Sequence, residues 1–276
     1  MKYFEFRNFK LPLGQKTYIM GILNVTPDSF SDGGSYYTVE SAVKRAKEMV
    51  EEGADIIDIG AESTRPGFTP VEASVELERL MPVLKALVNE IKVPISIDTT
   101  KPIVAEEALK AGAHIINDVW GLQGHPDMAK IAAKYNAGVI VMHNKNDKQY
   151  KDLMAEIREF LERSIEIALK AGIGENSIAV DPGIGFGKTF EHNVEVMRKL
   201  GYLKNSLNYP LLIGTSRKSF IGHILDLPVT EREEGTAATV AIGITAGADI
   251  VRVHNVKYMA RVVKVADAIV RGEKAL

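Results

Sequence analysis

The sequence has no cysteine among its 276 residues. Disulfide bonds, thiolate nucleophiles and zinc or iron–sulfur centres held by cysteine are therefore excluded. It also has no apolar run approaching the roughly 18–20 residues that a membrane-spanning helix needs. The first ten residues, MKYFEFRNFK, have no apolar core of the kind found in a signal peptide. We expect a soluble cytoplasmic protein without a membrane partner.

The sequence has little net charge. The 34 Lys+Arg residues nearly balance the 36 Asp+Glu residues, which gives a formal net charge of −2. A protein that binds bulk nucleic acid needs an excess of basic residues to displace counterions, so no nucleic-acid partner is expected, although phosphate groups could be bound locally. Hydrophobic residues at 46% and charged residues at 25% are typical of a globular protein rather than a disordered one.

Short β-branched runs alternate with helix-compatible segments along the chain. Almost all residues of these runs are apolar, which is typical of parallel strands covered on both faces. The predicted strands are Tyr18–Asn24, Ile56–Gly60, Pro94–Asp98, Ile115–Asp118, Gly138–His143, Ile178–Asp181, Pro210–Gly214 and Ile250–His254. The predicted helices are Val39–Glu52, Pro70–Glu90, Pro102–Ala111, Pro126–Tyr135, Tyr150–Ala171, His192–Leu200, Glu233–Ala246 and Val256–Arg271, several of which stop at a glycine.

Eight strands and eight helices in this length predict an α/β fold, a (β/α)₈ TIM barrel. A doubly wound sheet is the alternative, because it has the same alternation of strands and helices. No linker divides the chain, so we expect a single domain over residues 1–276. Phe4 and Phe6 alternate with polar residues near the start, which predicts an N-terminal β-hairpin over about residues 1–16 below a barrel of about 17–276.

A weak internal repeat supports the barrel. The pattern G-A-x-I-[IV]-x occurs at residues 53–58, 112–117 and 247–252. Each copy is a helix stop followed by the start of a strand. The repeat aligns Asp58, Asn117 and Arg252 at the same height on three strands.

Polar side chains stand at the carboxyl ends of all eight predicted strands, where barrel active sites lie. A single polar residue at such a place is as easily a capping residue, but eight together favour a bound polar ligand. The set comprises Asn24, Asp58, Glu62, Asp98, Asn117, Asp118, His143, Asp181, Arg252, His254 and the run Thr215-Ser216-Arg217-Lys218.

Two loops, Val25–Thr38 and that from Glu62 to Gly67, exceed the usual 2–6 residues, which favours a role in binding. The run Gly183–Thr189, GIGFGKT, is one residue too short for a phosphate-binding GxxxxGK[ST] loop and predicts a glycine-lined rim instead. The six histidines show no zinc-binding spacing, so no zinc site is expected.

The remaining polar residues divide by charge. Asp58, Asp98 and Asp181 supply carboxylates, and Asn117 can both donate and accept hydrogen bonds. One buried carboxylate of this set suits a planar heterocycle that presents two parallel N–H donors. Lys218, Arg252 and His254 form a cationic group around the last two strands, where barrels commonly bind phosphate. We expect the acidic group deep in the site and the cationic group at its rim.

Seven ordered segments resemble the dihydropteroate synthase family over essentially the whole chain. They are MGILNVTPDSFSDGG at 20–34, GADIIDIGAESTRPG at 53–67, PISIDTTKP at 94–102, INDV at 116–119, DPGIGFGKT at 181–189, GTSRKSFIG at 214–222 and EGTAATVAIGITAGADIVRVH at 234–254. The resemblance implies a transferase that joins (7,8-dihydropterin-6-yl)methyl diphosphate to 4-aminobenzoate and releases diphosphate and 7,8-dihydropteroate. It also implies a homodimer and sensitivity to sulfonamides.

The resemblance assigns roles to individual positions. The pterin would be bound by Asp98, Asn117, Val119, Met142, Asp181, Phe186, Leu212, Gly214 and Lys218. The diphosphate would be held by Asn24, Thr64, Arg252 and His254, with Mg²⁺ as the cofactor and Asn24 as its ligand. The aminobenzoate would be bound by Phe30, Thr64, Arg65, Pro66 and Ser219, and the catalytic residues would be Asp98, Lys218, Arg252, His254 and the loop residue Asp28.

Two alternative functions are consistent with the same site. One is a pterin-binding methyltransferase, because that group shares the acidic pterin floor. The other is a pterin- or phosphate-binding barrel without catalysis, which would be expected to lose Asn24, Arg252 or Lys218, and all three are present. One departure from the family is the polar run from His143 to Asp147, which leaves His143 as a supporting residue.

Overall fold

A computed structural model describes residues 2–26, 38–62 and 71–272 of the chain. Two short strands, β1 (Tyr3–Phe6) and β2 (Phe9–Pro12), form an antiparallel hairpin. Eight further strands form a parallel sheet: β3 (Tyr18–Asn24), β4 (Ile56–Gly60), β5 (Ile95–Asp98), β6 (Ile115–Asp118), β7 (Gly138–Met142), β8 (Ile178–Asp181), β9 (Leu212–Ile213) and β10 (Ile250–Val253).

The parallel sheet closes on itself. The strands pair in the order β8-β7-β6-β5-β4-β3-β10-β9. A parallel bridge between Val180 and Leu211, with a 2.8 Å hydrogen bond from the Val180 amide to the Pro210 carbonyl, joins the two ends of this order. The predicted (β/α)₈ barrel is therefore confirmed, because a doubly wound sheet would keep two open edges. The single domain predicted over residues 1–276 stays a prediction.

Ten α-helices lie within the described ranges and surround the barrel. They are α1 (Val39–Glu51), α2 (Ala73–Glu90), α3 (Pro102–Ala111), α4 (Asp127–Lys134), α5 (Leu153–Lys170), α6 (Phe190–Arg198), α7 (Leu200–Leu207), α8 (Ser219–Leu225), α9 (Glu233–Thr245) and α10 (Val256–Arg271). Two of them, α7 and α8, were not predicted. The predicted helix His192–Leu200 was wrong in its bounds, because a capping box on Thr189 starts α6 earlier and Lys199, at φ −110°, ends it.

The hairpin seals the amino-terminal end of the barrel, as predicted. Phe4 and Phe6 are buried and contact each other edge-to-face with ring centroids 4.8 Å apart. They pack against the lowest layer of inward-pointing strand residues: Tyr18, Met20, Ile56, Ile115, Ile140, Ala179, Leu212 and Ile250. Because this end is filled with apolar side chains, the polar strand ends are left to the opposite face.

No helix in residues 2–26, 38–62 and 71–272 has both the length and the apolar character needed to cross a membrane. The apolar surfaces of the helices are turned to the strands instead, where they form a continuous layer with the outward-pointing strand residues. This layer and the inner floor together fix the height of each strand end.

His114, directly before β6, joins the hairpin to the barrel. Its Nδ1 atom accepts a 3.1 Å hydrogen bond from the Ile95 amide, and its ring packs edge-to-face on Phe9. Burial and the nearby Arg7 charge lower the pKa of His114 from 6.5 to about 4. The ring is therefore neutral in the folded protein at pH values where the unfolded chain takes up a proton.

We predict that His114 makes the protein less stable in acid. Between pH 6.5 and about 4 the unfolded chain binds a proton at this position that the folded chain does not, so the free energy of unfolding falls as the pH falls. His114→Gln keeps an acceptor but does not titrate, so urea unfolding should show a weaker pH dependence. His125→Gln, at an exposed position, is the control. An unchanged pH dependence in His114→Gln would contradict the prediction.

Candidate active site

The register of the sheet sets a row of polar side chains at its carboxyl edge. Asn24 pairs with Gly60, Gly60 with Asp98, and Asp98 with Asn117, across strands β3 to β6. On the next pair of strands, Met142 lies beside Asp181. Because parallel strands end at one edge, these residues meet in the mouth of the barrel although they come from distant parts of the sequence.

Arg252, on β10, reaches across this mouth to two carboxylates. Its Nε atom donates to Oδ2 of Asp58 and its Nη2 atom donates to Oδ2 of Asp98, each at 2.7 Å. The same Asp58 oxygen accepts from the Asn117 side chain at 3.3 Å. The alignment of Asp58, Asn117 and Arg252 expected from the repeat is therefore found as a hydrogen-bonded cluster.

We expected acidic residues at the floor of the site and cationic residues at its rim, and this prediction was wrong for Arg252. Arg252 lies among the carboxylates rather than at the rim, because burying Asp58 and Asp98 without a cation would be strongly unfavourable. The two ion pairs engage two of the five N–H groups of its guanidinium. Arg252 can therefore hold the acidic floor and still present donors to a ligand.

Asp98 has an unusually high pKa for an aspartate. Burial raises its pKa to about 7, against the attraction of Arg252 and together with the repulsion of Asp58. Its Oδ1 atom is buried and has no hydrogen-bond partner among the described residues. Burial also raises the pKa of Asp181, although the Gly183 amide opposes this by donating to its carboxylate at 2.7 Å. Both carboxyls are thus poised for a ligand that brings hydrogen-bond donors.

These side chains line a cavity at the carboxyl end of the barrel. It contains eight of the nine predicted pterin-binding residues, together with Arg252 and one residue that sequence reasoning missed, Ile184. The lining comprises Asp98, Asn117, Val119, Met142, Asp181, Ile184, Phe186, Gly214, Lys218 and Arg252. The sequence signal for Ile184 was its place between two glycines of the predicted rim.

Leu212 is the predicted residue that the structure places elsewhere. Its side chain is fully buried in the floor layer with Phe4 and Phe6. Leu212 and Gly214 have the same parity on their strand segment, so both were expected to face the interior. They lie in different layers, however, and only Gly214 borders the cavity. Leu212 lies in the barrel floor, and its role in the ring slot stays a prediction.

The rim of the cavity carries Lys218 above Phe186. The Lys218 ammonium lies 4.2 Å from the centre of the Phe186 ring, a cation–π contact. Gly185 makes room for it, since a Cβ atom there would lie 2.9 Å from Lys218 Cδ. Arg217, the residue before Lys218, has a left-handed φ of 58°, and its side chain forms an ion pair with Glu233 at 2.6 Å. This turn aims Lys218 at the cavity.

The other predicted residues lie at the ends of neighbouring elements. His254 follows β10, and its Nδ1 atom is 2.9 Å from the Ser216 hydroxyl, which also accepts from the His254 amide. Ser219 is exposed at the first turn of α8, next to Lys218. Five predicted residues, Asp28, Phe30, Thr64, Arg65 and Pro66, lie outside the described residues.

Two polar strand ends point away from the cavity. Asp118 accepts hydrogen bonds from the amides of Trp120 and Leu122 at 2.9 and 2.8 Å, and so shapes the turn after β6. His143 is buried on the far side of β7, with Nδ1 2.8 Å from the Lys188 ammonium. Successive strand residues face opposite ways, so Asn117 faces in where Asp118 faces out.

The residues of the mouth can be tested for their fit to the expected Mg²⁺. In residues 2–26, 38–62 and 71–272 there is no group of three or more His, Cys, Asp or Glu side chains that could hold a metal ion. Mg²⁺ is often bound by only one or two protein oxygens together with substrate phosphates and water. Asn24 supplies an amide oxygen at the edge of the mouth, so the residues fit an ion that arrives on a diphosphate.

The chain is similar to known pterin-binding proteins, in agreement with the geometry of the site. A family model described as pterin binding enzyme matches residues 20–254. A dihydropteroate synthase from Clostridium beijerinckii is 54% identical over 260 residues, which cover 94% of this chain and 96% of the relative. The chain belongs to the dihydropteroate synthase family. The family resemblance inferred from the seven sequence segments is therefore confirmed.

Solved structures of the dihydropteroate synthase family have the same fold. The enzyme from Clostridium difficile, determined in the presence of pteroic acid, superposes with a TM-score of 0.91 at 52% identity, over 95% of this chain and 99% of that one. The enzyme from Xanthomonas albilineans with 4-aminobenzoic acid gives 0.89 at 40% identity, over 95% and 94% of the two chains.

We predict that Asp58→Asn destabilises the protein by about 3–5 kcal/mol, the usual effect of breaking a buried ion pair. Asp58 is fully buried and Arg252 would keep only Asp98 as a partner. Urea unfolding at pH 7 measures the effect. Asp127→Asn, which breaks an exposed pair with Lys130, should change the free energy of unfolding by less than about 1 kcal/mol. Equal losses in the two variants would contradict the prediction.

Proposed function

We propose that this chain joins (7,8-dihydropterin-6-yl)methyl diphosphate to 4-aminobenzoate, releasing diphosphate and 7,8-dihydropteroate. The observation that carries the proposal is the cavity that brings Asp98, Asn117, Asp181 and Lys218 together at the carboxyl end of the barrel. Membership of the dihydropteroate synthase family supports it. So do the pteroic acid and 4-aminobenzoic acid in the similar structures.

The proposed pterin site uses hydrogen bonds at the edge of the ring and contacts on its faces. Asp181 accepts from the N–H groups of the amino-pyrimidinone edge, and Asn117 donates and accepts beside it. Phe186 and Lys218 cover the ring from the rim, while Val119 and Met142 pack along its edge. A buried carboxylate that accepts two parallel hydrogen bonds discriminates strongly against rings without those donors.

Bond cleavage at the pterin methylene follows from the charges around it. The C–O bond breaks with its electron pair on the diphosphate, and the conjugated ring spreads the positive charge that remains. Asp98 stabilises this charge from the floor, and Arg252 and His254 stabilise the leaving group. The uncharged aniline nitrogen then forms the C–N bond and loses a proton, which the released diphosphate can accept. No protein nucleophile is needed, which agrees with a chain that has no cysteine.

The proposed metal is a Mg²⁺ ion that enters with the diphosphate. When bound, the ion neutralises negative charge that develops on the leaving group. Asn24, at the end of β3, would hold it through its side-chain oxygen. Thr64 also belongs to the proposed diphosphate site, and Phe30, Thr64, Arg65, Pro66 and Ser219 to the aminobenzoate site, from which sulfonamides would displace the substrate. Asp28 belongs to the loop proposed to exclude water.

The decisive experiment combines the purified chain, the pterin diphosphate, 4-aminobenzoate and Mg²⁺. Dihydropteroate and diphosphate should form in equal amounts, and removing Mg²⁺ with a chelator should slow the reaction. A methyltransferase would release no diphosphate, and a protein that only binds pterins would form no product. Either result would overturn the proposal.

We predict that Asp181→Asn weakens binding of the pterin diphosphate by about 10- to 100-fold, since hydrogen bonds to a charged acceptor contribute about 1.5–3 kcal/mol. Isothermal titration calorimetry without aminobenzoate measures this directly. Asp249→Asn is the control: Asp249 is buried at the amino-terminal end of the barrel, where it accepts from the Leu211 amide. Unchanged pterin affinity in Asp181→Asn would remove the residue from the proposed site.

We also propose that the chain works in the cytoplasm as a homodimer that pairs through α10. This helix leaves Tyr258, Val265 and Ile269 exposed at spacings that share one face, and Ile269 is 80% exposed. A second copy would cover this apolar face, as symmetric dimers do with a shared patch.

For the dimer we expect Ile269→Asp to shift the chain to a monomer at micromolar concentration in sedimentation equilibrium, because a carboxylate would be buried without a partner. Lys264→Asp changes charge at an exposed position on the same helix and should leave the dimer intact. A wild-type chain that is monomeric under these conditions, or an Ile269→Asp variant that remains a dimer, would refute pairing through this face.

A further inference from the structure

The run Gly183–Thr189 resembles a phosphate-binding loop in sequence, but its lysine does not face a ligand. Lys188 is 4% exposed, although lysine is almost never fully buried without compensation. Its side chain turns back under the loop rather than into the cavity, whose lining does not include it. A buried ammonium in this position needs a reason, and the proposed reaction assigns it none.

Three acceptors surround the Lys188 ammonium. It donates to the carbonyl of Gly183 at 2.9 Å and to the carbonyl of Phe186 at 3.1 Å, and it lies 2.8 Å from Nδ1 of His143. An ammonium has three N–H donors and no acceptor, so the three contacts match it one to one. A charged Lys188 can only donate to Nδ1 of His143, which requires a neutral imidazole with its proton on Nε2.

The surroundings of His143 agree with that assignment. Its ring is buried between the rings of Tyr150 and Phe160, with centroids 6.0 and 5.0 Å away. Burial, together with the Lys188 charge, lowers the pKa of His143 to about 2. Burial also lowers the pKa of Lys188 to about 7, while Asp181 favours its charge and Lys218 disfavours it. Near neutral pH a substantial fraction of Lys188 is therefore charged and can donate to all three acceptors.

The two carbonyls that Lys188 holds belong to the turn that forms one wall of the cavity. Gly183 has a φ of 68°, and a Cβ atom there would lie 1.9 Å from the His143 carbonyl, so the turn lies tightly against the residue that follows β7. The Gly183 amide donates to Asp181 at 2.7 Å, and the Gly183 carbonyl accepts from the Phe186 amide at 3.1 Å. The Gly183–Phe186 turn is thus bonded to Asp181 on one side and to Lys188 on the other.

We propose that Lys188 is a positioning residue for pterin recognition. Its ammonium, backed by neutral His143, holds the Gly183–Phe186 turn so that the Asp181 carboxylate and the Phe186 ring face the ligand together. It acts through these groups and does not contact the substrate. The inference rests on the proposed pterin substrate, and it adds a residue whose loss should weaken pterin binding while the aminobenzoate site is left intact.

The first experiment replaces Lys188 with methionine, which keeps the length and removes the three donors. The dissociation constant of the pterin diphosphate, measured by calorimetry, should rise at least about tenfold. The KM for 4-aminobenzoate at saturating pterin diphosphate should stay within about twofold, since that site keeps its contacts. An unchanged pterin affinity in a folded Lys188→Met variant would overturn the proposal.

Lys204→Met separates positioning from general stability. Lys204 is a half-buried lysine that binds the Tyr209 carbonyl and Asp249 at the opposite end of the barrel. Thermal unfolding should show both variants to be less stable than wild type, but only Lys188→Met should lose pterin affinity. An equal loss of affinity in the two variants would reduce Lys188 to a structural role.

A double-mutant cycle that combines Lys188→Met with Phe186→Ala tests whether Lys188 acts on pterin binding through Phe186. If Lys188 acts by placing Phe186, the loss of pterin affinity in the double variant will be smaller than the sum of the two single losses, because residues in one network are not additive. Additive losses would contradict that route. Should Lys188→Met fail to fold, His143→Leu removes one acceptor and should give a smaller loss of the same kind, and no loss would count against the proposal.

The wild-type chain distinguishes this inference from the proposed function. If wild type neither binds nor turns over the pterin diphosphate, the proposed function fails. If wild type does both and Lys188→Met behaves like wild type, only the positioning role fails.

Discussion

One arginine shared by two buried carboxylates holds the mouth of this barrel together. Arg252 connects β10 to Asp58 on β4 and Asp98 on β5, so its contacts cross the interior rather than run between neighbouring strands. Asn117 joins the same cluster from β6. The acidic residues of the floor can be buried close together because this cation lies among them, and its contacts tie β10 to β4 and β5. Burial in this cluster raises the pKa of Asp98, which Arg252 lowers and the nearby Asp58 charge raises further.

The fold could be predicted closely because each barrel strand is a short apolar run with a clear end. Four of the eight predicted strands have the observed bounds, among them Ile56–Gly60 and Ile178–Asp181. The strand predicted over Pro210–Gly214 is only Leu212–Ile213 (β9), since the chain turns at Gly214 to build the rim. Helix α7 was missed although Leu200, Leu203 and Leu207 have helical spacing, because α6 ends only two residues before it begins and the two patterns merge.

The sequence predicted which residues line the candidate site but not which hydrogen bonds and ion pairs they form. Asp98, Asn117 and Asp181 could be found because strand ends in a barrel face a common mouth. Strand parity gives the direction of a side chain but not its layer, so it does not show that Leu212 lies in the floor and Gly214 at the cavity. The direction of a long side chain depends on its partners in three dimensions. Arg252 among the carboxylates and Lys188 beneath its own loop could therefore not be inferred from spacing.

The closing of the barrel has a consequence for the order in which the chain can fold. Strand β3 pairs with β10, and Thr17 is hydrogen-bonded to Asp267, 250 residues away along the chain. During synthesis, β3 would expose an unpaired edge until β10 had left the ribosome. Contacts of such sequence separation form slowly, and unpaired edges invite aggregation. The barrel of this protein can therefore close only when almost the whole chain has been synthesised.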